Sequence, residues 1–200
     1  MKPTPIQIQG LPALFSGRDV IGIAFTGSGK TLTFVLPMIM LALEEEMNMP
    51  VEAGEGPLGV VLCPSRELAR QTYENLEYLT SGLKLSRAGR KFPQLRSQLI
   101  IGGEDKRAQC EMFERQGLHC LVATPGRLND LLKQKRLNMD LCKYFVLDEG
   151  DRMLDMGFDE EVHSIINRFR RQRQTVLFSA TMPQKFQTFA KNTLVDPLLV

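Results

Sequence analysis

The residues Thr26-Gly27-Ser28-Gly29-Lys30-Thr31 combine flexible small positions with one cation and one hydroxyl, in the order a phosphate group requires. Glycines let successive backbone N–H groups turn inward around phosphate oxygens. The apolar run Val20–Phe25 precedes them and a long apolar segment follows. A strand would therefore lead into the loop and a helix would leave it, aiming its positive end at the same anion. In this arrangement Lys30 reaches the β- and γ-phosphates of a nucleotide, and the Thr31 hydroxyl binds Mg2+. The general pattern opens with glycine, where this chain has Ala24. A glycine-rich turn with an exposed lysine is the plain alternative, but it needs no strand before it and no helix after it.

A second cluster, Asp148-Glu149-Gly150-Asp151, follows the apolar run Tyr144–Leu147. A carboxylate at a strand end, facing a phosphate loop, suits Mg2+ held through water. Its neighbour can orient or deprotonate an attacking water. This assigns Asp148 to the metal and Glu149 to the water, with Lys30 as the third catalytic group. Alone, such a cluster reads as a solvated acidic turn; the phosphate loop upstream changes that reading.

Two more strand ends open onto helices. In Cys63-Pro64-Ser65-Arg66-Glu67, Ser65 is placed as an N-cap with Glu67 in the first turn. In Thr124-Pro125-Gly126-Arg127, Thr124 is the N-cap and Pro125 the first helical residue. Each start presents unpaired N–H groups and brings an arginine, a combination that can hold phosphates of a single strand without reading its sequence. Gly102-Gly103, after another apolar run, would allow close backbone approach. From spacing alone, ordinary helix capping and a tight turn account for all of these residues.

Such scattered groups need a scaffold that gathers them. Val20–Phe25, Gly59–Cys63, Gln98–Ile101, Cys120–Ala123, Tyr144–Leu147 and Thr175–Phe178 read as strands without strict alternation, as expected of strands buried on both faces. Helical spacing runs over Arg66–Thr80, through Leu68, Thr72, Leu76 and Leu79, and over Pro125–Lys135, through Leu128, Leu131 and Leu132. Alternating strands and helices imply βαβ units and a mostly parallel central sheet flanked by helices on both faces. Ligands of such sheets bind outside the carboxyl ends of the strands, where every motif above would lie. Asn48–Leu58 and the basic stretch Ser81–Ser97, with Lys84, Arg87, Arg90, Lys91 and Arg96, read as loops.

The 200 residues fit one domain, 43% hydrophobic and 24% charged. The net charge of +2 neither demands nor excludes a nucleic-acid partner. Cys63, Cys110, Cys120 and Cys142 form no Cys-x-x-Cys pair, and are expected to be reduced thiols in an intracellular protein. The longest apolar stretch, Phe34–Leu43, contains Pro37 and is too short to span a bilayer. Residues Met1–Gln9 are polar and proline-bearing, unlike a signal peptide. Met1-Lys2 reads as an abrupt start, because Pro3-Thr4-Pro5 begins in the middle of a pattern.

Nearly the whole chain resembles the first RecA-like domain of DEAD-box RNA helicases, P-loop NTPases. Pro3-Thr4-Pro5-Ile6-Gln7 is similar to the end of that family's Q motif, and Ala24 to Thr31 to motif I, where alanine is normal at the first position. Pro64-Ser65-Arg66-Glu67-Leu68-Ala69 resembles motif Ia, with Ser65 for the commoner threonine. Gly102-Gly103 matches the glycine doublet, Thr124-Pro125-Gly126-Arg127 motif Ib, and Ser179-Ala180-Thr181 motif III. The resemblance implies ATP and Mg2+ as cofactors, with Gln7 recognising adenine and Ala24, Phe25, Thr26, Gly27, Ser28, Gly29, Lys30 and Thr31 cradling the nucleotide. It implies that Pro64, Ser65, Arg66, Gly102, Gly103, Thr124, Pro125, Gly126 and Arg127 contact an RNA backbone. It also implies that Asp151, Ser179 and Thr181 couple nucleotide state to strand separation. Ile21-Gly22-Ile23-Ala24-Phe25, Pro64 to Thr72 and Asp155-Met156-Gly157-Phe158 look closest to the Abstrakt-type helicases linked to pre-mRNA splicing, which would favour a nuclear location and spliceosomal partners.

The chain departs from the pattern in three ways. Gly150 replaces the usual alanine of motif II. The aromatic residue upstream of the Q motif is absent, and so are the second RecA-like domain and its arginine finger. The expectation is a monomeric fragment, 1–200, that binds ATP or ADP, contributes half of a surface for single-stranded or duplex RNA, and hydrolyses ATP poorly without the C-terminal RecA-like domain. Arg168, Arg170, Arg171 and Arg173, like the basic loop, read as a solvated face. Met153 and Met156 read as packing residues. A nucleic-acid sensor or scaffold without turnover, and a DNA translocase of the same superfamily, are the competing readings.

Overall fold

A computed structural model of the protein describes residues 2–84 and 92–200. Its helices are α1 (Pro5–Phe15), α2 (Lys30–Asn48), α3 (Arg66–Lys84), α4 (Lys106–Gln116), α5 (Pro125–Lys133), α6 (Gly150–Asp155), α7 (Asp159–Ile166) and α8 (Gln184–Thr193). Its strands are β1 (Val20–Ile23), β2 (Gly59–Leu62), β3 (Ser97–Ile100), β4 (Cys120–Ala123), β5 (Tyr144–Leu147), β6 (Gln174–Ser179) and β7 (Leu198–Leu199). They form one sheet in the order β3-β4-β2-β5-β6-β1-β7, and every neighbouring pair is parallel.

Alternate residues of each strand feed two separate cores, because side chains on a strand point to opposite faces. Val61, Cys63, Tyr144, Val146 and Val176 pack with residues of α1, α2 and α3 on one face. Val60, Leu62, Phe145, Leu147 and Leu177 pack with α4, α5, α6, α7 and α8 on the other. Burial on both sides explains the unbroken apolar runs.

The register divides the carboxyl edge in two. Leu62 pairs with both Ala123 and Leu147, and Leu147 with Leu177. The turns after β3, β4 and β2 therefore lie side by side, as do those after β5, β6 and β1.

β4 and β5 match the sequence expectation. β1 ends at Ile23 rather than Phe25, so Ala24 and Phe25 belong to the loop, although the Ala24 N–H still donates to the Ser179 carbonyl at 2.9 Å. β2 stops at Leu62, β3 begins and ends one residue early, and β6 is longer and takes in Ser179. Ser81–Lys84 continue α3, where a loop was expected, and Ser97 opens β3; residues 85–91 of that stretch lie outside the described residues. Asn48 ends α2 rather than opening a loop, and α5 stops at Lys133. Nothing in the apolar pattern marked α4, whose buried residues are Gln109, Cys110 and Phe113. All four cysteines are buried and free. No helix among the described residues is long and apolar enough to cross a membrane.

Two of the arginines expected to be solvated have structural partners. Arg173 lies 4.1 Å from the centroid of Phe169 and 5.9 Å from that of Phe145. Arg96 donates to the carbonyls of Val51 and Gly117, at 2.7 and 3.2 Å. Beside it the buried His119 accepts the Arg96 backbone N–H at Nδ1 (2.9 Å), so Nε2 carries the proton donated to Glu46 (2.8 Å). This network ties α2 to the starts of β3 and β4.

Burial pushes the His119 pKa below the ordinary imidazole range, although Glu46 pulls the other way. For Glu46, burial raises the pKa, but the Val51 N–H, His119 and Arg96 outweigh it and hold it low. Both depressed pKa values act in one direction. As pH falls below about 6.5 the unfolded chain binds a proton at this histidine before the native state does. Stability from His119 is complete above that pH and is lost as pH falls towards the folded-state pKa. Urea unfolding at pH 7.5, 6.5 and 5.5 should show a falling midpoint, and His119→Gln should flatten that trend; an unchanged slope in the variant would locate the acid sensitivity elsewhere.

Candidate functional site

Gly27 and Gly29 adopt φ values of 86° and 88°, which turn the loop after β1 into a concave run ending at the start of α2. A side chain at Gly29 would be doubly excluded: a Cβ there would sit 2.7 Å from Gln7 Nε2 and 3.0 Å from Thr4 Oγ1. Gln7 accepts the Thr4 N–H at 3.0 Å and donates to the Gly29 carbonyl at 3.2 Å. This α1 residue is thus fastened to the phosphate loop, an attachment that spacing did not suggest. One N–H and one oxygen lone pair of its amide remain for a ligand. Thr31 follows Lys30 in the first turn of α2. The Phe25 ring stands outside the core, at 71% exposure.

The acidic turn meets this loop across β6. Lys30 Nζ lies 2.7 Å from Asp148 Oδ1 and 3.5 Å from Glu149 Oε1. Thr26 Oγ1 donates to Glu149 Oε1 at 2.8 Å, and Arg152 pairs with the other oxygen at 3.2 Å. Glu149 has φ 55°, a left-handed conformation that costs free energy in a non-glycine residue and is typical of functional turns.

The cluster holds one ammonium between two carboxylates. Asp148 is fully buried, and burial raises its pKa; Lys30 offsets this in part, while Glu149 adds to it. Lys30 Nζ pairs with Asp148 Oδ1, and Oδ2 has no partner among the described residues. For Glu149 burial also raises the pKa, but Thr26, Lys30 and Arg152 outweigh it and the result is low. A buried carboxylate with one oxygen unpartnered fits a further cation. The Ser28 hydroxyl is likewise buried without a partner, as a loop built for phosphate oxygens would leave it. Among the described residues no group of three or more His, Cys, Asp or Glu could cage a metal. The buried Asp148 carboxylate opposite the phosphate loop fits Mg2+, which takes one or two protein oxygens and completes its shell with phosphate and water.

Asp151 accepts from the Thr181 N–H at 3.0 Å and the Thr181 hydroxyl at 2.7 Å. Ser179 donates to the Thr181 carbonyl at 2.6 Å and so meets Asp151 through Thr181. Burial raises the Asp151 pKa, but Thr181 and the nearby Ser179 outweigh it.

The other half of the edge carries the remaining motif residues. Ser65 caps α3 by accepting the Leu68 N–H at 3.2 Å. Thr124 occupies the N-cap position of α5 without a side-chain bond, followed by Pro125 and Gly126. The Arg66 guanidinium lies against Gly102 and Gly103; a Cβ at Gly103 would be 2.8 Å from it. Pro64 lies between β2 and α3. Arg127 donates to the Glu104 carbonyl and to Gln109 Oε1, both at 2.9 Å. Gln109 Nε2 in turn donates to Glu104 Oε2 at 2.8 Å, and Arg70 pairs with Glu104 at 2.6 Å. Glu104, Gln109 and Arg70 join motifs Ia and Ib, and the sequence reading had missed them. Their polar spacing within α3 and after β3 carried no signal of its own.

A cavity of about 960 Å3 lies at the opposite edge, between α1, α2 and the starts of β5 and β6. It holds none of the loop or acidic-turn residues, and the chemistry places the site at the strand ends instead.

A family model described as DEAD/DEAH box helicase matches residues 4–189. DEAD-box ATP-dependent RNA helicase 35 of Arabidopsis thaliana is 58% identical over 200 residues, covering 100% of this chain and 33% of that protein. ATP-dependent RNA helicase abstrakt of Drosophila melanogaster is 53% identical over 198 residues, 99% of this chain and 31% of the relative. The chain thus spans about a third of the length of these relatives. The crystal structure of the yeast DEAD-box splicing factor Prp28 superimposes with a TM-score of 0.85 at 31% identity, covering 99% of this chain and 45% of that one. A DEAD box protein from the hyperthermophile Methanococcus jannaschii gives 0.80 at 32% identity, covering 99% and 49%. The fold is the RecA-like one of these neighbours.

The buried charges can be tested without a ligand. Lys30→Met leaves Asp148 and Glu149 without their shared cation and should destabilise the chain by about 3 kcal/mol or more. Adding Asp148→Asn should restore a large part of that loss. Urea unfolding of the two variants measures both steps, and equal stability of Lys30→Met and the wild type would mean that the lysine does not balance the acids.

Proposed function

The chain belongs to the DEAD/DEAH box helicases, and on that premise we propose that it is the ATP-binding N-terminal core domain, 1–200, of an ATP-dependent RNA helicase. The observation that carries the reading is the convergence of the phosphate loop and the acidic turn on either side of β6, with Lys30 2.7 Å from Asp148.

Backbone N–H groups of the loop and the start of α2 hold the phosphates of ATP or ADP. Lys30 exchanges its carboxylate partners for phosphate oxygens. Gln7 offers its remaining donor and acceptor to the adenine. Thr31 and Asp148 would hold Mg2+, which supplies positive charge to the phosphate oxygens. Glu149, ionised because its pKa is depressed, orients and deprotonates the attacking water. Asp151, Thr181 and Ser179 carry the state of this half of the edge to the next strand. Arg66, the glycine doublet and the starts of α3 and α5 form half of a surface for an RNA backbone, single-stranded or duplex.

A second RecA-like domain, outside these 200 residues, supplies the arginine that completes catalysis. An arginine finger contributes about 10³–10⁵ in rate, so this chain alone binds nucleotide and turns it over poorly. Likeness to abstrakt and to a DEAD-box splicing factor supports a role beside spliceosomal proteins in the nucleus.

In a protein that includes the second domain, Glu149→Gln should leave ATP binding within a few fold and lower RNA-stimulated hydrolysis by roughly 10²–10⁴. Unimpaired hydrolysis would remove Glu149 from its role. Hydrolysis that is normal in this chain alone would remove the need for a second domain.

A further inference from the structure

Gly150 opens α6 where the family pattern has alanine. A Cβ built on it would lie 2.6 Å from Cε2 and 3.3 Å from Cζ of Phe186. Ordinary contact requires the two to move apart by about 1 Å. The ring has little room to retreat. Phe186 is fully buried, its ring stacks on Phe189 with centroids 6.5 Å apart, and Phe189 meets the edge of His163 at 5.3 Å. The aromatic ring occupies the volume that an alanine methyl would need.

The neighbouring residues grip the same helix. Lys185 Nζ donates to the Leu154 carbonyl near the end of α6, at 2.8 Å, and pairs with Asp159 at 2.9 Å. Thr181, just before α8, holds Asp151. Residues 181–186 therefore touch the start, the second residue and the end of α6. That helix has six residues, too few to be stable by its own hydrogen bonds. It follows Glu149, whose left-handed backbone needs support.

We infer that Phe186 is a positioning residue for the acidic turn, matched in size to the bare backbone of Gly150. Its ring sets the height of the turn, and with it the directions of the Asp148 and Glu149 carboxylates. Lys185 fixes the far end of the same helix. This rests on the reading of the turn as the acid pair of a nucleotide site, and extends it to a residue that touches neither nucleotide nor metal. A displacement of about 1 Å in such a group can lower function up to about 10²-fold.

A double-mutant cycle tests the match in this chain, using Gly150→Ala, Phe186→Leu and the pair together, with thermal melting and ADP affinity measured with and without Mg2+. Gly82→Ala is the control, because a Cβ there meets nothing within 4 Å. Gly150→Ala should lower the melting temperature and cut the Mg2+-dependent gain in ADP affinity roughly tenfold. Phe186→Leu should also lose stability, through the cavity it leaves. The pair should recover much of both losses; Gly82→Ala, within α3, should raise the melting temperature slightly, as alanine for glycine in a helix does, and leave the Mg2+ effect unchanged. If Gly150→Ala fails to fold, folding of the pair is the same rescue in stronger form. Additive losses would overturn the size match. Rescue of melting with an unaltered Mg2+ effect throughout would reduce Phe186 to a core residue and overturn its positioning role. A wild type whose ADP affinity ignores Mg2+ would overturn the nucleotide reading instead, and the melting cycle would still report on the size match.

Discussion

All seven strands run the same way, and this one fact governs what the chain can do. A parallel neighbour cannot be reached by a tight hairpin, so the chain must return along a face of the sheet after each strand. Those returns cover both faces and bury the central strands β2, β4 and β5 throughout. The turns at the carboxyl ends of the strands are where backbone stands free to meet a ligand. Six of those turns carry glycine, hydroxyl or charged residues, and the order β3-β4-β2-β5-β6-β1 sorts them. Three stand beside one another with arginines and helix starts, and three with the phosphate loop, the acids and the Ser179 relay. Chain order alone scatters these groups over more than 150 residues.

Within the second group, electrostatics decides the arrangement. Two carboxylates at adjacent positions would repel each other in a buried setting. The left-handed backbone at Glu149 turns its carboxylate towards Thr26 and Arg152, while Asp148 stays over Lys30. The pair is thereby split into one acid with a depressed pKa and one with a raised pKa. A divergence of this kind separates the task of binding positive charge from that of accepting a proton. The unpartnered Asp148 Oδ2 marks a place where additional positive charge would be favourable.

Much of this was legible in the residues. The strands β4 and β5 have sharp ends because Ala123 and Leu147 give way to Thr124 and Asp148, whose polarity stops the apolar run. β1 was read too long because Ala24 and Phe25 are apolar yet belong to the loop; Phe25 is exposed, a state that hydrophobicity could not announce. α4 was missed because its outer residues are charged and only Gln109, Cys110 and Phe113 turn inward. The short helices α6 and α7 bury too few residues to show a period. Arg96 and Arg173 were read as solvated because charge argues for water, but their partners are carbonyls and aromatic rings contributed by distant segments. Gln7 was read for its ligand, and its bond to Gly29 appeared only when α1 was placed beside the loop. The roles of the helix starts at Ser65 and Thr124 came from family likeness, since capping alone explains those residue types.

The same geometry ties the acidic turn to its neighbours. β6 stands between the acidic turn and the phosphate loop, and its last residue, Ser179, binds Thr181, which binds Asp151. Asp151 sits in a six-residue helix whose first residue is a glycine pressed by Phe186. A change of charge at Lys30 alters the forces on Asp148 and Glu149 directly. It reaches Asp151 because all three acids lie on one turn of backbone. That turn rests on α8 and on the sheet together: Phe186 and Lys185 touch α6, Met153 and Leu154 pack in the core with Leu147 and Leu177, and the Asp148 N–H donates to the Leu62 carbonyl at 2.9 Å. Close packing passes a displacement of either neighbour on to the turn instead of absorbing it. The three acids are thus held at both ends, by the backbone leaving β5 and by the residues that open α8.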